Sequence, residues 1–366
     1  MRVLIDGMPI SVGGIGTLLI NIVQYNKYIG NEKKYIFDFL LPEGSEYKKL
    51  LQQYNYVFYE VPRIFDIKYV SIIKNILSKN AYDYLWINNT SKVNIFLPHI
   101  AKKNDIMIIS HSHGIKNEET GIKKIIFDIM ETCFGKYYCN LIDIPFACSM
   151  ESAKYFYPEK LYKKCKVIHN GIWSDQFKYN ENARIEMRKK MEIDEEDVLL
   201  GAVGRLTRVK NFSFLFPIMK KLPDKYKLII LGNGEEKDKL QHDIQDNELE
   251  KRVSLLGEKE HIEQYLSAMD IFLMPSLNEG LPFALVEAQA SGLTCIVSKG
   301  VTQESNLTGT VRYLGLLEQE QWIKEIMDLN SKRSSRKQGA EMIKNSGYDI
   351  GQSYRIFLNA LENKEE

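Results

Sequence analysis

The chain has 366 residues, too many for one small core and enough for two domains of ordinary size. Hydrophobic residues at 44%, charged residues at 27% and a formal net charge of +1 describe a soluble globular protein with no global drive toward polyanions, which removes nucleic acid as an implied partner. No apolar run reaches the roughly 20 residues that span a bilayer, and the start MRVLIDG lacks the build of a signal peptide, so a cytoplasmic protein is expected.

Along the chain, short β-branched runs alternate with longer amphipathic segments, the signature of β-α units around a parallel sheet. The clearest strand candidates are Val3–Asp6, Tyr35–Leu40, Tyr84–Ile87, Ile106–Ser110, Val198–Val203, Lys227–Leu231, Val253–Leu256, Ile271–Met274 and Thr294–Val297. The five cysteines, Cys133, Cys139, Cys148, Cys165 and Cys295, are scattered without metal-ligand spacing and read as reduced structural thiols.

The first strand, VLID, runs into GMPISVGGIGTLLINIV, a glycine-rich turn that opens a helix. Gly13, Gly14 and Gly16 would let backbone approach a ligand closely. Their spacing, G-G-x-G, departs from the dinucleotide fingerprint, and no acidic strand end stands at the expected distance, so a nicotinamide cofactor is not implied.

Farther on, Phe65–Asn80 and Gly121–Met130 mix lysines with isoleucines at helical spacing, as helices lying on an anionic membrane do. The alternative is a helix packed on its own domain with its lysines in water. Between them the strand IMIIS ends in HSHG, which puts His111 and His113 at a strand carboxyl end, with Gly114 permitting an abrupt turn. No carboxylate or cysteine stands close enough in sequence to make this a zinc site. Either histidine could hydrogen-bond a sugar or orient a reacting group, and simple strand capping is the plainer alternative.

From Pro158 to Asp197 the pattern weakens into VIHNGIWSDQF and a charged helix, ARIEMRKKMEIDEED, before fresh strand-helix units begin. The domain boundary is placed near Gly171. Next, GAVGRLTRVKNFSFLF is a buried strand that breaks at Gly204 into a loop carrying Arg205, Arg208 and Lys210, and such loops line the ligand crevice of parallel sheets. Arg205 can fork onto two phosphate oxygens while Lys210 supplies a mobile point charge, so together they could neutralise a diphosphate; taken alone, the loop reads better as an ordinary basic surface loop.

In IFLMPSLNEGLPFALVEAQASG a strand leads into a loop holding Glu279, and Pro282 and Gly292 suit the start and stop of a helix. That helix is apolar on nearly every face, so Glu287 should be partly buried. A helix start preceded by a small flexible loop attracts phosphate through free N–H groups and the dipole. Retaining glycosidases need their carboxylates about 5–5.5 Å apart and inverting ones about 6.5–9.5 Å. Eight residues of helix rise about 12 Å, so Glu279 and Glu287 would grip two parts of one long ligand; the plainer alternative is that Glu279 only favours the helix N-terminus electrostatically while Glu287 occupies a wet seam. The last segment, Asp349 to Glu362, is amphipathic and ends in a charged tail; Tyr354, Phe357, Leu358 and Leu361 need a partner surface.

These residues carry a resemblance. The ordered set GGIG, HSHG, VIHNGI, GRLTRVKN, LGNGEEKDKL and NEGLPFALVEAQASG, spread over nearly the whole chain, resembles a GT-B fold retaining glycosyltransferase of the glycosyl transferases group 1 (family 4) type. The stretch IVSKGVTQESNLTG further resembles enzymes of bacterial capsular or extracellular polysaccharide synthesis. The resemblance implies an α/β fold of two Rossmann-like domains with a cleft between them. These are an acceptor-side domain at 1–170, a nucleotide-sugar domain at 171–346, and a helix at 347–366 crossing back to the first domain.

It further implies that Glu279 contacts hydroxyls of the donor sugar, that Glu287 holds the ribose hydroxyls, and that backbone of Gly280, Leu281, Pro282, Phe283 and Ala284 holds sugar and phosphate. Arg205 and Lys210 match the diphosphate-binding pair, the turn from Gly13 to Gly16 the loop that closes over the phosphates, and His113, or else His111, the histidine near the donor sugar. The expected reaction passes through an oxocarbenium-like state with no dedicated nucleophile and no metal or other cofactor. The donor would be a nucleotide sugar, a UDP-sugar, and the acceptor a glycan or polyprenyl-linked oligosaccharide at the inner face of the plasma membrane. His169 and Leu293 stand where the family commonly has proline, and Pro217 should interrupt the helix after Lys210. Two alternatives stay open: a sugar-nucleotide epimerase of the same fold, and a non-catalytic partner subunit, which would not need Glu279, Arg205, Lys210 and Glu287 together.

Overall fold

The computed structural model describes residues 1–11, 13–113, 121–330 and 336–362. Gly114 and the charged tail beyond Glu362 lie outside the described residues. The chain divides into two compact units, Met1–Gly171 with Ile350–Glu366, and Ile172–Asp349.

The first unit is built on seven strands: β1 (Arg2–Asp6), β2 (Ile36–Pro42), β3 (Val57–Val61), β4 (Tyr84–Asn89), β5 (Met107–Ser112), β6 (Ile144–Ala147) and β7 (Lys166–Val167). They lie in the order β3-β2-β1-β4-β5-β6-β7. The second unit has six, β8 (Val198–Val203), β9 (Tyr226–Leu231), β10 (Val253–Gly257), β11 (Ile271–Met274), β12 (Thr294–Ser298) and β13 (Val311–Leu314), in the order β10-β9-β8-β11-β12-β13. Pairing is parallel throughout; Val3, for example, sits beside both Phe37 and Tyr84, and Leu200 beside both Leu228 and Ile271. Both are therefore doubly wound Rossmann-like sheets, with the strand order reversing at β1/β4 and at β8/β11. Ligands of such sheets bind outside the strand carboxyl ends at these reversals.

Central strands covered on both faces must be apolar on both, and Val3, Leu4 and Ile5 of β1 and Leu199 and Leu200 of β8 are fully buried. The strands that the apolar pattern does not reveal lie at or next to the sheet edges. β6 has four residues, one of them proline, β7 has two, and β3 and β13 carry Glu60 and Arg312. Tyr35, expected to start a strand, precedes β2, and β5 runs on through His111 to Ser112.

Three further expectations are corrected. Pro217 does not interrupt a helix: two short 3₁₀ turns, Arg208–Lys210 and Phe212–Phe214, precede the helix Leu215–Lys221, so Pro217 lies in its first turn, where no N–H is missed. The charged helix is Glu181–Lys190, capped by Asn180, and stops short of Asp197. Residues 347–349 stay with the second unit, because the Ile172 N–H donates to the Tyr348 carbonyl (2.9 Å) and Ser174 bonds Asp349.

The final helix, Ile350–Leu361, lies on the first unit and finds there the partner its apolar face needs. Phe357 is fully buried with its ring 4.4 Å from that of Trp86, the Tyr354 hydroxyl donates to Asn26 Oδ1 (2.5 Å), and the Tyr84 hydroxyl donates to the Leu361 carbonyl (2.7 Å). The helix Tyr69–Lys79 likewise turns Tyr69, Ile73, Ile76 and Leu77 into its own domain, leaving Phe65 and Ile67 exposed ahead of it. Among the described residues no helix is long and apolar enough to cross a membrane. None of the five cysteines forms a disulfide among the described residues.

Candidate active site

In the second unit the loops after β8, β9, β11 and β12 interlock at the strand carboxyl ends. β8 gives way at Gly204, where φ is +157° and where a side chain would press on the Lys210 stem, 3.2 Å away. Gly232 and Gly234, also at positive φ, bring the loop after β9 so close that a Cβ on either would strike the Gly204 or Leu206 carbonyl. The Leu206 N–H donates to the Asn233 carbonyl (2.8 Å) and the Glu236 N–H to that of Leu206 (2.9 Å). Asn211, in the left-handed region, donates through Nδ2 to the Pro275 carbonyl (3.1 Å), and the Leu277 N–H donates to the Val209 carbonyl (2.8 Å).

This framework sets Lys210 Nζ 2.6 Å from Glu279 Oε1, both side chains largely withdrawn from solvent. Glu279 is itself anchored by backbone, its N–H donating to the Gly300 carbonyl (3.0 Å) and its carbonyl accepting from Thr302 N–H (3.1 Å). Arg205 and Arg208 are exposed on the same loop. Pro282 stands at the N-cap of the helix Phe283–Ala290, one place earlier than expected, with no side-chain cap. No described residue accepts from the N–H groups of Phe283 and Ala284, which leaves the positive end of the helix open. Gly292 ends the helix at φ +69°. One turn inside it, Glu287 is half-buried, and burial first, then the nearby Glu263 carboxylate, pushes its carboxyl up to about 7.

In the first unit the glycine turn divides in two. Gly13 is the N-cap of the helix Gly14–Tyr28, and Gly14 is exposed. Gly16 is buried, and a Cβ there would fall inside the Tyr47 ring; the Gly13 N–H donates to the Tyr47 hydroxyl (2.9 Å), which donates back to the Gly13 carbonyl (3.1 Å). The close approach at Gly16 is thus made to Tyr47 of the same unit.

His111 and His113 also part company. His111 points into the core, fully buried with its ring stacked 6.1 Å from Trp86. His113 follows the strand end, its Nε2 2.9 Å from Asn88 Oδ1 and its ring centre 4.0 Å from that of His111. Burial drives the His113 imidazole down to about 3, so it is neutral at physiological pH. Beside it β1 ends in Asp6, whose carboxyl burial raises to about 6 against a hydrogen bond from the Gly7 backbone. Asp6 and Asn88 were not singled out from the sequence. An acidic residue ending the first strand directly before a glycine was the available signal, but the expected acidic strand end lay beyond the glycine turn. Among the described residues no group of three or more histidine, cysteine, aspartate or glutamate side chains could hold a metal ion.

Residues 183–342, all within the second unit, match the family described as glycosyl transferases group 1. EpsF of Bacillus subtilis (strain 168) is 31% identical over 221 residues, 58% of this chain and 58% of that protein. The Escherichia coli UDP-Gal:alpha-D-GlcNAc-diphosphoundecaprenol alpha-1,3-galactosyltransferase is 31% identical over 246 residues, 64% of this chain and 62% of its own length. The chain thus spans about three fifths of each of these relatives. Among solved structures, the Anabaena protein Alr3699/HepE in complex with UDP-glucose shares the fold at a TM-score of 0.75 and 19% identity, over 99% of this chain and 100% of that one. Residues 183–342 thus match the glycosyl transferases group 1, filling most of the second unit, while the fold shared with the Anabaena protein extends over nearly the whole chain.

Proposed function

We propose that the chain transfers a sugar, with retention of anomeric configuration, from a UDP-sugar to a glycan or lipid-linked oligosaccharide in cell-surface polysaccharide assembly. The observation that carries this reading is the Lys210–Glu279 pair at 2.6 Å beside the uncapped start of the helix Phe283–Ala290, inside the matched domain. A cation next to open N–H groups is a ready place for a diphosphate, whose developing negative charge as the glycosidic bond breaks is what a transferase must stabilise. Lys210 and exposed Arg205 supply that charge, so no metal is needed. Glu279, paired with Lys210, accepts from sugar hydroxyls once the diphosphate takes over the lysine.

Glu287, deeper in the same helix, accepts from the ribose hydroxyls, and the Gly280–Ala284 backbone lies along sugar and phosphate. His113 of the first unit, neutral by burial, serves as a hydrogen-bonding group rather than a charge. The UDP-sugar and the lipid-linked acceptor are the substrate classes in the printed name of the Escherichia coli relative. Purified protein incubated with a panel of sugar nucleotides, with and without a chelator, is expected to be stabilised against heat by UDP-sugars and to hydrolyse or transfer one of them slowly. The α-configured product from an α-linked donor, read by proton NMR, is the expected stereochemical result. No stabilisation by any nucleotide sugar, or a β-configured product, would count against the reading.

A further inference from the structure

The Asn88 side chain connects two groups at the carboxyl edge of the first sheet. Its Nδ2 donates to the backbone carbonyl of Asp6 at 3.0 Å, and its Oδ1 lies 2.9 Å from Nε2 of His113. A backbone carbonyl can only accept, so the amide must turn its NH₂ toward Asp6. The amide oxygen, which also can only accept, is then left facing His113. The histidine nitrogen opposite it must be the donor.

The amide is held firmly in this orientation. Asn88 is buried at the end of β4, and Gly7, at φ +90°, packs so tightly on it that a Cβ would strike the Asn88 carbonyl and Cβ. Burial also keeps the His113 ring neutral, so one of its two nitrogens has no proton. No described residue bonds Nδ1.

We infer that Asn88 is a positioning residue that holds His113 as the Nε2–H tautomer, so that Nδ1 offers a lone pair to a substrate hydroxyl. The chain of constraint starts at a backbone carbonyl, passes through one amide and ends in the choice of tautomer. A histidine so set selects a hydrogen-bond donor, such as a sugar hydroxyl, over a carbonyl or phosphate oxygen at that point. Only this last step rests on the transferase reading; the tautomer itself requires no substrate.

The test is a long-range proton–nitrogen NMR correlation at neutral pH on ligand-free protein labelled with ¹⁵N at histidine, with His113 assigned from the peaks lost in His113→Gln. The wild type should show the Nε2–H pattern for His113, and Asn88→Ala should lose it in favour of a mixture of both tautomers. An Nδ1–H pattern in the wild type, or an unchanged pattern in Asn88→Ala, would overturn the inference. If Asn88→Ala does not fold, the wild-type spectrum still decides. Because no sugar nucleotide is present, an Nε2–H result stands even if transfer is never found, and an Nδ1–H result leaves the transferase reading intact.

Discussion

Two glutamates eight positions apart play unequal parts. Glu279 is fixed through its backbone to the loop after β12 and through its carboxylate to Lys210. Glu287 instead sits within an apolar helix, where burial and Glu263 raise its carboxyl from 4.5 to about 7. Between those two values the folded state holds more protons than the unfolded state, so the contribution of Glu287 to stability falls as pH rises through the window and is lowest above about 7. Glu287→Gln removes this titration. In urea titrations the variant should gain stability relative to wild type between about pH 5 and about pH 8, the difference levelling off above that. A constant difference across this range would show that the carboxyl ionises at its ordinary value. The ribose contact proposed for Glu287 calls for an ionised acceptor, so donor should bind wild type more tightly above pH 7 than below it.

At the scale of elements, the two sheets and the loops at their carboxyl ends were legible because their causes are local. Fully buried parallel strands must be continuous apolar runs, as VLLGAV and VLI are, and Gly204 and Gly292 mark chain reversals that demand positive φ. Strands β6 and β7 were not legible, since four residues with a proline or two with a lysine carry no period. Nor was the role of Gly16, because its reason is Tyr47, contributed by a helix 31 positions away in sequence, Tyr47–Gln53. Gly16→Ala should therefore destabilise the first unit by about 1–3 kcal/mol, as overpacking does, although Ala is the better helix former. Replacing Tyr47 with leucine in the Gly16→Ala background should recover part of the loss, a coupling read from a double-mutant cycle in urea. Full stability of Gly16→Ala alone would mean that the helix Gly14–Tyr28 shifts freely and that Tyr47 does not set its position.

Over the whole molecule, the chain begins and ends in the same unit, and the apolar face of Ile350–Leu361 meets Trp86 and Asn26 there. The amphipathic period announced that face, but only the tertiary structure names its partner. The candidate site residues divide the same way: Lys210, Glu279 and Glu287 stand in motifs that span a few residues each, whereas Asp6 and Asn88 acquire meaning only when β1, β4 and β5 bring them to His113. The central claim is that the second unit grips a nucleotide sugar at two points, with Glu279 at the sugar and Glu287 at the ribose. Steady-state kinetics of wild type, Glu279→Ala and Glu287→Ala with the accepted UDP-sugar tests it most directly. Glu279→Ala should lose about 10²–10³-fold in kcat, as loss of a group that acts on the reacting centre does, while Glu287→Ala should raise the donor KM about tenfold or more and largely spare kcat. Full activity in both variants would contradict the account.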